Sequence, residues 1–203
     1  MAEQTYEPRQ QRSREKVARI LEATASLLET TPYDDLGTKL IAAEAGVSVG
    51  ALYRYFADKE AIVASLVRQW LQLDVQIAER ITTEPLPQHS RELFEKLVTA
   101  YADRFRKEPG YRRLWYGGPR IASLRADTQQ TDLEIAKRVH RALVHGYGMP
   151  DTVESRRRGR LAVGVASNLL DLAFREDPTG DLDILADAAL MIDRYLFAPP
   201  SEK

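Results

Sequence analysis

Apolar side chains recur every three or four residues along most of this chain, and no run alternates strictly between apolar and polar positions. The first spacing is typical of an α-helix with one buried face, whereas strict alternation is typical of a strand. Prolines and glycines divide the pattern into about nine helices, so the predicted fold class is all-α. The predicted helices are one ending before Pro32, then 38–45, 49–56, a long one from Asp58 to the "EPLP" at 84–87, one from Ser90, 109–116, one or two within 121–147, and two more near 152–175 and 181–197.

Glycine and short polar side chains mark where several of these helices begin and end. Gly46 suits a left-handed C-cap for the helix before it. Asp58 and Asp181 are N-cap residues in type and position. The run Asp-Thr-Val-Glu resembles a capping box, with Asp151 as the cap and Glu154 three residues later.

The segment "VSVGALYRYFADKE", residues 47–60, is short for a helix yet rich in aromatic side chains. An isolated helix under about 12 residues is marginal in water, so packing must hold this one in place. Helices at 38–45 and 49–56 joined by a glycine turn have the spacing of a helix-turn-helix. With its apolar side packed inward, the second helix would present Val49, Ala51, Tyr53, Arg54 and Tyr55 outward. Tyrosine and arginine suit contacts to sugar-phosphate and to base edges in a DNA major groove. The alternative for Tyr53 and Tyr55 is packing against the first helix.

Lys59 lies in the first turn of the next helix, where its positive charge opposes the helix dipole. A phosphate bound at that helix N-terminus would satisfy both charges. Lys59 is therefore a candidate contact to the DNA backbone.

The run "IAAEAGVSVGALYRYFADKEAIV", residues 41–63, strongly resembles the helix-turn-helix signature of the TetR family of transcriptional regulators. The resemblance covers about residues 12–66 directly, and the later helices fit the family in number and order. It implies a helix-turn-helix DNA-binding domain with an N-terminal arm at 1–57, and an effector-binding and dimerisation domain at 58–203. It also implies DNA contacts at nine positions: Thr38, Lys39, Ser48, Val49, Ala51, Tyr53, Arg54, Tyr55 and Lys59. Gly37 stands where the family usually has Thr or Ser, so the second helix is expected to begin less firmly.

Composition changes this picture little. The chain is 44% hydrophobic and 29% charged with a net charge of −1, which is typical of a globular protein and gives no general attraction to nucleic acid. Cysteine is absent, and the three histidines (His89, His140 and His145) lack a base-and-nucleophile setting. We therefore predict no catalytic site, no metal site and no cofactor. No apolar run is long enough to span a membrane and the N-terminus has no signal-peptide core, so the expected location is the cytoplasm.

Two basic stretches are candidates for further nucleic-acid contact. The first holds Arg9, Arg12, Arg14, Lys16 and Arg19, and the second is "ESRRRGR" at 154–160. A solvated helix face is the favoured interpretation of the first stretch, and phosphate contact by an N-terminal arm is its alternative. The second opens a helix expected at the dimer end, which favours a solvated or interface role.

Polar residues within the apolar pattern of the C-terminal part indicate where an effector could bind. Asn168 and Asp171 lie three residues apart on one face of an otherwise apolar helix, and a buried carboxylate is costly unless it is paired. They have either an ordinary partner such as Arg104 or an exposed place at the dimer seam, or they contact a ligand in a cavity. The candidate cavity walls, which could equally be core, are aromatic: Trp70, Phe94, Tyr101, Phe105, Trp115 and Tyr116.

Apolar stripes on the last two predicted helices suit a four-helix dimer interface. These stripes are Leu161, Val165, Leu169 and Leu172 on one helix and Leu185, Ala188, Ile192 and Leu196 on the other. The leading function is a one-component repressor: a homodimer binds a palindromic operator in double-stranded DNA and is released by a small, mostly hydrophobic effector. A ligand-independent DNA-binding dimer is the alternative, and an all-helical enzyme with an incidental helix-turn-helix is the rival from another class.

Overall fold

The computed structural model describes residues 7–83, 85–117, 122–175 and 177–198, and these residues form nine α-helices and one short 3-10 helix without any strand. The all-α fold class is therefore confirmed. None of the helices in these ranges is long and apolar enough to cross a membrane. The helices are α1 Glu7–Thr30, α2 Thr38–Glu44, α3 Val49–Leu52, α4 Lys59–Thr83, α5 Ser90–Lys107, α6 Pro109–Gly117, α7 Ala122–Tyr147, α8 Val153–Arg175 and α9 Leu182–Phe197, with the 3-10 helix at Tyr33–Asp35.

The chain folds into two compact units, and the first comprises Met1–Trp70 and Glu108–Leu124. In this unit α1 packs against α2 and α6. The approach of α6 is close: a Cβ on Gly110 would lie 2.7 Å from the carbonyl oxygen of Ala25, so this position accepts only glycine without a shift. Fully buried aliphatic side chains from four helices make the core, namely Ile20, Leu28, Ile41, Leu52 and Ile62. The short α3 is thus held by the packing that its length requires.

The second unit comprises Leu71–Lys107 and Arg125–Lys203. Its centre is a packed layer of α5, α8 and α9, in which α9 contacts both of the other helices. The turn before α9 passes through Gly180 at φ +83°, with the ring of Phe174 directly beneath it. Because L side chains rarely adopt this φ and a Cβ would lie 2.6 Å from the ring, glycine is required there.

The division into units differs from the predicted domain boundary after residue 57. The first unit includes α6 and the first half of α4, since the boundary within α4 falls between Trp70 and Leu71. The functional division at 57 and 58 stays a prediction, because compactness alone does not say which helices bind DNA.

Most predicted helix ends are confirmed. Gly46 has φ +62°, and the carboxylates of Asp58 and Asp181 accept hydrogen bonds from the backbone at the starts of α4 and α9. The segment that could have been two helices is the single helix α7.

The predicted capping box at Asp151 and Glu154 is wrong by one residue. Thr152 and Ser155 form it instead: each side-chain oxygen accepts a bond from the other residue's backbone N–H, at 3.1 and 3.0 Å. Asp151 is drawn away because it binds the Arg156 guanidinium at 2.7 Å and His140 at 2.9 Å. The Arg156 hydrogen bond, followed by that of His140, holds the pKa of Asp151 far below its usual range.

Candidate nucleic-acid interface

The turn at Gly46 and the cap at Ser48 define where the second helix of the helix-turn-helix begins. Gly37 precedes α2 in extended backbone and offers no side-chain cap, as expected for its residue type. Gly46 then turns the chain in the left-handed conformation, and the Ser48 hydroxyl oxygen accepts a bond of 3.1 Å from the Ala51 N–H. Ser48 is therefore the N-cap of α3, which satisfies one of the donors that a helix start leaves unpaired.

The α-helix within residues 49–56, which we call the recognition segment, is shorter than predicted. The expected helix at 49–56 is α-helical only over Val49–Leu52, and a tight turn follows. In that turn the Tyr55 N–H binds the Leu52 carbonyl at 2.9 Å, three residues back. Bonds of this type tighten the last turn of a helix. Burial of both Leu52 and Phe56 holds the turn on the core, so residues 53–55 are still presented by a fixed backbone.

The structure brings predicted contact residues from α2 and the recognition segment together. Tyr53 is 52% exposed, and its hydroxyl lies 3.1 Å from the hydroxyl of Thr38 at the start of α2. Lys39 and Arg54 are exposed beside them. The exposure of Tyr53 and its bond to α2 favour the outward interpretation over packing against the first helix.

Tyr55 has a different environment. It is half-buried, and hydrogen bonds with Ser13 and then Arg54 lower the pKa of its hydroxyl, with the positive charge of Lys16 adding to the effect. Ser13 and Lys16 lie on α1, so Tyr55 connects the recognition segment to the first helix. This placement agrees with packing against the first helix, and the DNA contact of Tyr55 stays a prediction.

The basic run near the N-terminus lies on a helix. Because α1 begins at Glu7, Arg12, Arg14 and Arg19 project from its exposed surface, while the side chain of Arg9 lies outside the described residues. This placement agrees with the solvated helix face, and phosphate contact by this stretch stays a prediction.

The structure corrects the argument that the charge of Lys59 needs a phosphate to satisfy it. Its Nζ donates to the backbone carbonyl of Tyr33 at 2.9 Å and to that of Asp34 at 3.4 Å, and it lies 4.3 Å from the centroid of the Tyr33 ring. The partial negative charge of these carbonyls already offsets the ammonium, so a phosphate is not needed to satisfy it. Lys59 thereby ties the start of α4 to the 3-10 helix at Tyr33–Asp35.

Of the candidate ligand-binding aromatics, Trp70, Phe94 and Phe105 are core residues and Tyr101 is half-buried. Trp70 packs edge-on against Tyr111 in the first unit, with ring centroids 5.0 Å apart. In the second unit Phe94 is buried, and Phe105 lies 5.3 Å from the ring of Phe174. The side chains of Trp115 and Tyr116 lie outside the described residues.

A buried ion pair in the second unit was missed at the sequence level. Arg104 Nε lies 2.7 Å from Asp74 Oδ1, and the two side chains are 5% and 9% exposed. The Tyr101 hydroxyl donates to the backbone carbonyl of Asp74 at 2.9 Å, and burial raises the pKa of Tyr101 well above its usual range. A signal existed: Asp74 falls four residues after Trp70 in the apolar stripe of α4, and Tyr101 and Arg104 lie three apart on α5.

Asn168 and Asp171 do not share one environment. Asn168 is exposed, and its side-chain amide donates to the carbonyl of Gly164 at 2.7 Å. Asp171 is half-buried and accepts from Arg175 at 2.9 Å. The exposure of Asn168 favours the interpretation that it lies at a seam, and its ligand-anchoring role stays a prediction.

An exposed apolar face runs along α8. Leu161, Val165 and Leu172 are each close to half exposed, although they are large aliphatic side chains. They line a shallow groove with their helix neighbours: Arg160, Gly164, Asn168, Leu169 and Arg175. The α8 stripe predicted for dimerisation is thus available at the surface.

The prediction that the α9 stripe forms an outer face is wrong. Leu185, Ala188, Ile192 and Leu196 are all buried within the chain, where α9 packs on α5 and α8. The exposed apolar residues of α9 are Leu182, Met191, Tyr195 and Phe197 instead. Periodicity identifies a buried face without saying whether the covering surface belongs to the same chain.

No group of three or more His, Asp or Glu side chains in the described ranges could hold a metal ion. His140 belongs instead to the pair with Asp151 at the start of α8.

Comparison with known proteins places these features in a family. Residues 20–66 match the family model described as bacterial regulatory proteins, tetR family, and residues 88–199 match the tetracyclin repressor-like C-terminal domain. The nucleoid occlusion factor SlmA of Alteromonas mediterranea is 32% identical over 101 residues, which is 49% of this chain and 50% of that protein. The chain thus spans about half the length of this curated relative.

Solved structures show the same fold over almost the whole chain. A TetR-family transcriptional regulator from Streptomyces coelicolor is 29% identical with a TM-score of 0.69, covering 91% of this chain and 97% of that one. The regulator FadR from Bacillus subtilis, solved in complex with stearoyl-CoA, is 16% identical with a TM-score of 0.67, covering 90% and 98%. Since the two family models match the helix-turn-helix and more than half of the chain beyond it, this protein belongs to the TetR family of DNA-binding transcriptional regulators.

Proposed function

We propose that this protein is a homodimeric repressor that binds a palindromic operator and is released by a small, mostly hydrophobic effector. The observation that carries the proposal is the surface cluster of half-buried Thr38 and exposed Tyr53 and Arg54, presented by a helix-turn-helix whose inner face is buried. Such a cluster offers hydroxyl and guanidinium donors on a rigid backbone, as recognition of a DNA groove requires.

Within this interface the nine residues divide by chemistry. Hydroxyl and ammonium groups at Thr38, Lys39, Ser48, Tyr53, Tyr55 and Lys59 suit phosphate oxygens, which position the protein without reading sequence. The Arg54 guanidinium suits a guanine edge, since it can donate two parallel bonds to O6 and N7. Val49 and Ala51 are small enough to let the segment approach the groove and to contact a thymine methyl group.

Dimerisation is supported by the exposed apolar face of α8. Half-exposed Leu161, Val165 and Leu172 would be covered by the same face of a second copy. The two recognition segments would then have to enter major grooves about 34–36 Å apart, one turn of the DNA helix. A palindromic operator follows from that two-fold symmetry.

An effector can shift this equilibrium only by binding the two states of the dimer with different affinity. The aromatic residues of the second unit, Phe94, Tyr101 and Phe105, are the proposed walls of its site, and Asp171 is the proposed polar contact. A hydrophobic or amphipathic molecule suits such walls. The related FadR from Bacillus subtilis binds stearoyl-CoA, which is of this chemical kind.

One observation favours a second candidate, a DNA-binding dimer without an effector. Phe94 and Phe105 are buried in the packed core of the described structure, and the Phe105 ring contacts that of Phe174. A core that stays closed would leave no room for a ligand.

The test is selection of bound fragments from genomic DNA, followed by a screen for compounds that release the protein from the best fragment. We expect a palindromic sequence with half-sites one helical turn apart, and release by an apolar compound. Absence of any enriched sequence would contradict the repressor, whereas enrichment with no releasing compound would favour the effector-free dimer.

A further inference from the structure

One polar side chain interrupts the exposed apolar face of α8. Leu161, Val165 and Leu172 recur along this face, and Asn168 occupies the place between the last two. Arg160 and Arg175 lie at the two ends of the groove, and Asn168 is about midway between them in the sequence. The amide thus lies at the centre of the face that the proposed dimer would bury.

An asparagine at the centre of a symmetric interface has a specific property. In an isologous dimer only residues near the two-fold axis meet their own copies. An amide carries both donors and an acceptor, so it can pair with an identical amide, which a carboxylate or an ammonium cannot do. Of the two amide hydrogens of Asn168, one is used for the bond to the Gly164 carbonyl, and the other can still pair together with Oδ1.

Gly164 is an independent indication that a second helix approaches here. Glycine in the interior of a helix is less favourable than alanine by about 1 kcal/mol. A Cβ at Gly164 would meet nothing within 4 Å, so nothing in the described part of the chain requires glycine at this position. The notch that it leaves lies one turn before Asn168, where the backbone of a second copy could come close.

The charges at the ends of the groove suit a second copy that crosses at an angle. If a second α8 lay straight along the groove in either direction, Arg160 would face an arginine of the other copy, which is unfavourable. Two helices that cross at an angle instead separate these ends and direct them toward the adjacent helix. The adjacent helix is α9, and its exposed residues Asp183 and Asp187 carry negative charge that complements the arginines.

We propose that two α8 helices cross at Gly164 and Asn168, and that the two Asn168 amides hydrogen-bond across the two-fold axis and thereby determine which chains pair. This inference rests on the proposed homodimer and adds the residue that gives its partner specificity. A buried asparagine fixes the register and partner of coiled coils by the same chemistry, at some expense of stability.

The experiment replaces the Asn168 amide by a negative charge in one variant and by a positive charge in another. Asn168→Asp and Asn168→Lys are expressed separately and together with different tags, and their dimers are measured by sedimentation and native mass spectrometry. Each variant alone should dimerise about tenfold or more weakly than the native chain, because like charges then meet at the axis. Co-expression should restore tight assembly as a heterodimer, well above the proportion of about half that random pairing gives.

Gln76→Asp and Gln76→Lys are the matched controls, since Gln76 is an exposed helical residue of α4. They should pair at random and as tightly as the native chain. The proposed Asn168 self-pairing is overturned if the Asn168 variants also pair at random and as tightly as the native chain. It is overturned as well if co-expression of two weakened variants fails to restore the dimer. A native chain that is monomeric at micromolar concentration would instead overturn the homodimer itself, so the two failures are distinguishable.

Discussion

At the scale of single residues, Lys59 shows how one side chain can serve folding and binding together. The Lys59 ammonium has three hydrogens and donates to the Tyr33 and Asp34 carbonyls, so one donor is left for the proposed phosphate contact. A phosphate contact through Lys59 would therefore use an ammonium that the fold has already positioned.

Substitution of Lys59 by alanine should have two separable effects. Loss of a charged hydrogen bond to a half-buried carbonyl should lower the free energy of unfolding by about 1 kcal/mol. Loss of the phosphate contact should weaken binding to every DNA sequence and reduce the salt dependence by about one counterion per subunit. Thermal unfolding measures the first effect, and operator affinity at several salt concentrations measures the second.

Lys39→Ala is the control for this experiment, because Lys39 is exposed on α2. It should change the salt dependence similarly while leaving thermal unfolding nearly unaltered. If Lys59→Ala lowers stability but keeps the native salt dependence, Lys59 only positions the helix and does not contact DNA.

Arg54 and Tyr53 should differ in the kind of DNA contact that they lose. Arg54→Ala should relax the preference at one base pair in each half-site, which corresponds to about 1–3 kcal/mol for a lost bidentate contact to guanine. Tyr53→Phe removes only the hydroxyl that lies near Thr38, so it should weaken binding to all sequences alike. Binding to a library of single-base operator variants distinguishes these patterns. An equal loss across the whole library for Arg54→Ala would assign that side chain to the phosphate backbone.

At the scale of helices, the Asp74–Arg104 ion pair connects α4 to α5 within the second unit. Removing one partner leaves the other charge buried, so Asp74→Leu should lower the free energy of unfolding by about 3–5 kcal/mol. The double substitution Asp74→Leu with Arg104→Met should recover much of that loss, because two apolar side chains can pack where the pair lay. Urea unfolding of the single and double variants measures the coupling, and simple addition of the two losses would contradict it.

The helices also show what a sequence can and cannot predict. Gly46, Asp58 and Asp181 act on their own neighbouring backbone, so residue type and spacing were sufficient to predict them. The capping box was misplaced because Asp151 has a stronger partner in Arg156, a competition that a cap motif does not contain. Local chemistry is predictable to the extent that no nearby charge competes for the same group.

Faces of helices are harder to predict than their ends. The apolar stripes of α8 and α9 have the same period, yet the α9 stripe with Ile192 is buried in the chain and the α8 stripe with Val165 is exposed. Which stripe packs internally depends on how α5 meets α9, and that is a property of the tertiary structure. The pairing of Asp74 with Arg104 also depends on how two helices meet, so it was missed. The helical spacing of Asp74 from Trp70, and of Arg104 from Tyr101, showed only that each side chain faces the buried side of its own helix.

At the scale of the whole molecule, the α8 face should determine whether the protein can bind an operator. Val165→Glu places a charge in the proposed interface and should yield a monomer by sedimentation at micromolar concentration. Operator affinity should fall with it, since a monomer occupies one half-site and loses the gain from linking two binding modules.

Val153→Glu is the control, since Val153 is 81% exposed at the start of the same helix and outside the groove. It should stay dimeric and bind the operator normally. If the Val165→Glu protein remains a dimer, the dimer interface lies on a surface other than the α8 face.

The continuity of α4 has a mechanical consequence. This helix has 25 residues, so it is about 37 Å long, and no proline or glycine interrupts it where it passes from one compact unit into the other. A helix without proline or glycine curves only gently, because sharp kinks arise where such residues interrupt its backbone hydrogen bonds. A tilt of about 5° at one end would displace the other by roughly 3 Å, which is large compared with the tolerance of a hydrogen bond to a base. If the proposed effector acts on α4, the length of this one helix would set how far a given tilt displaces its other end.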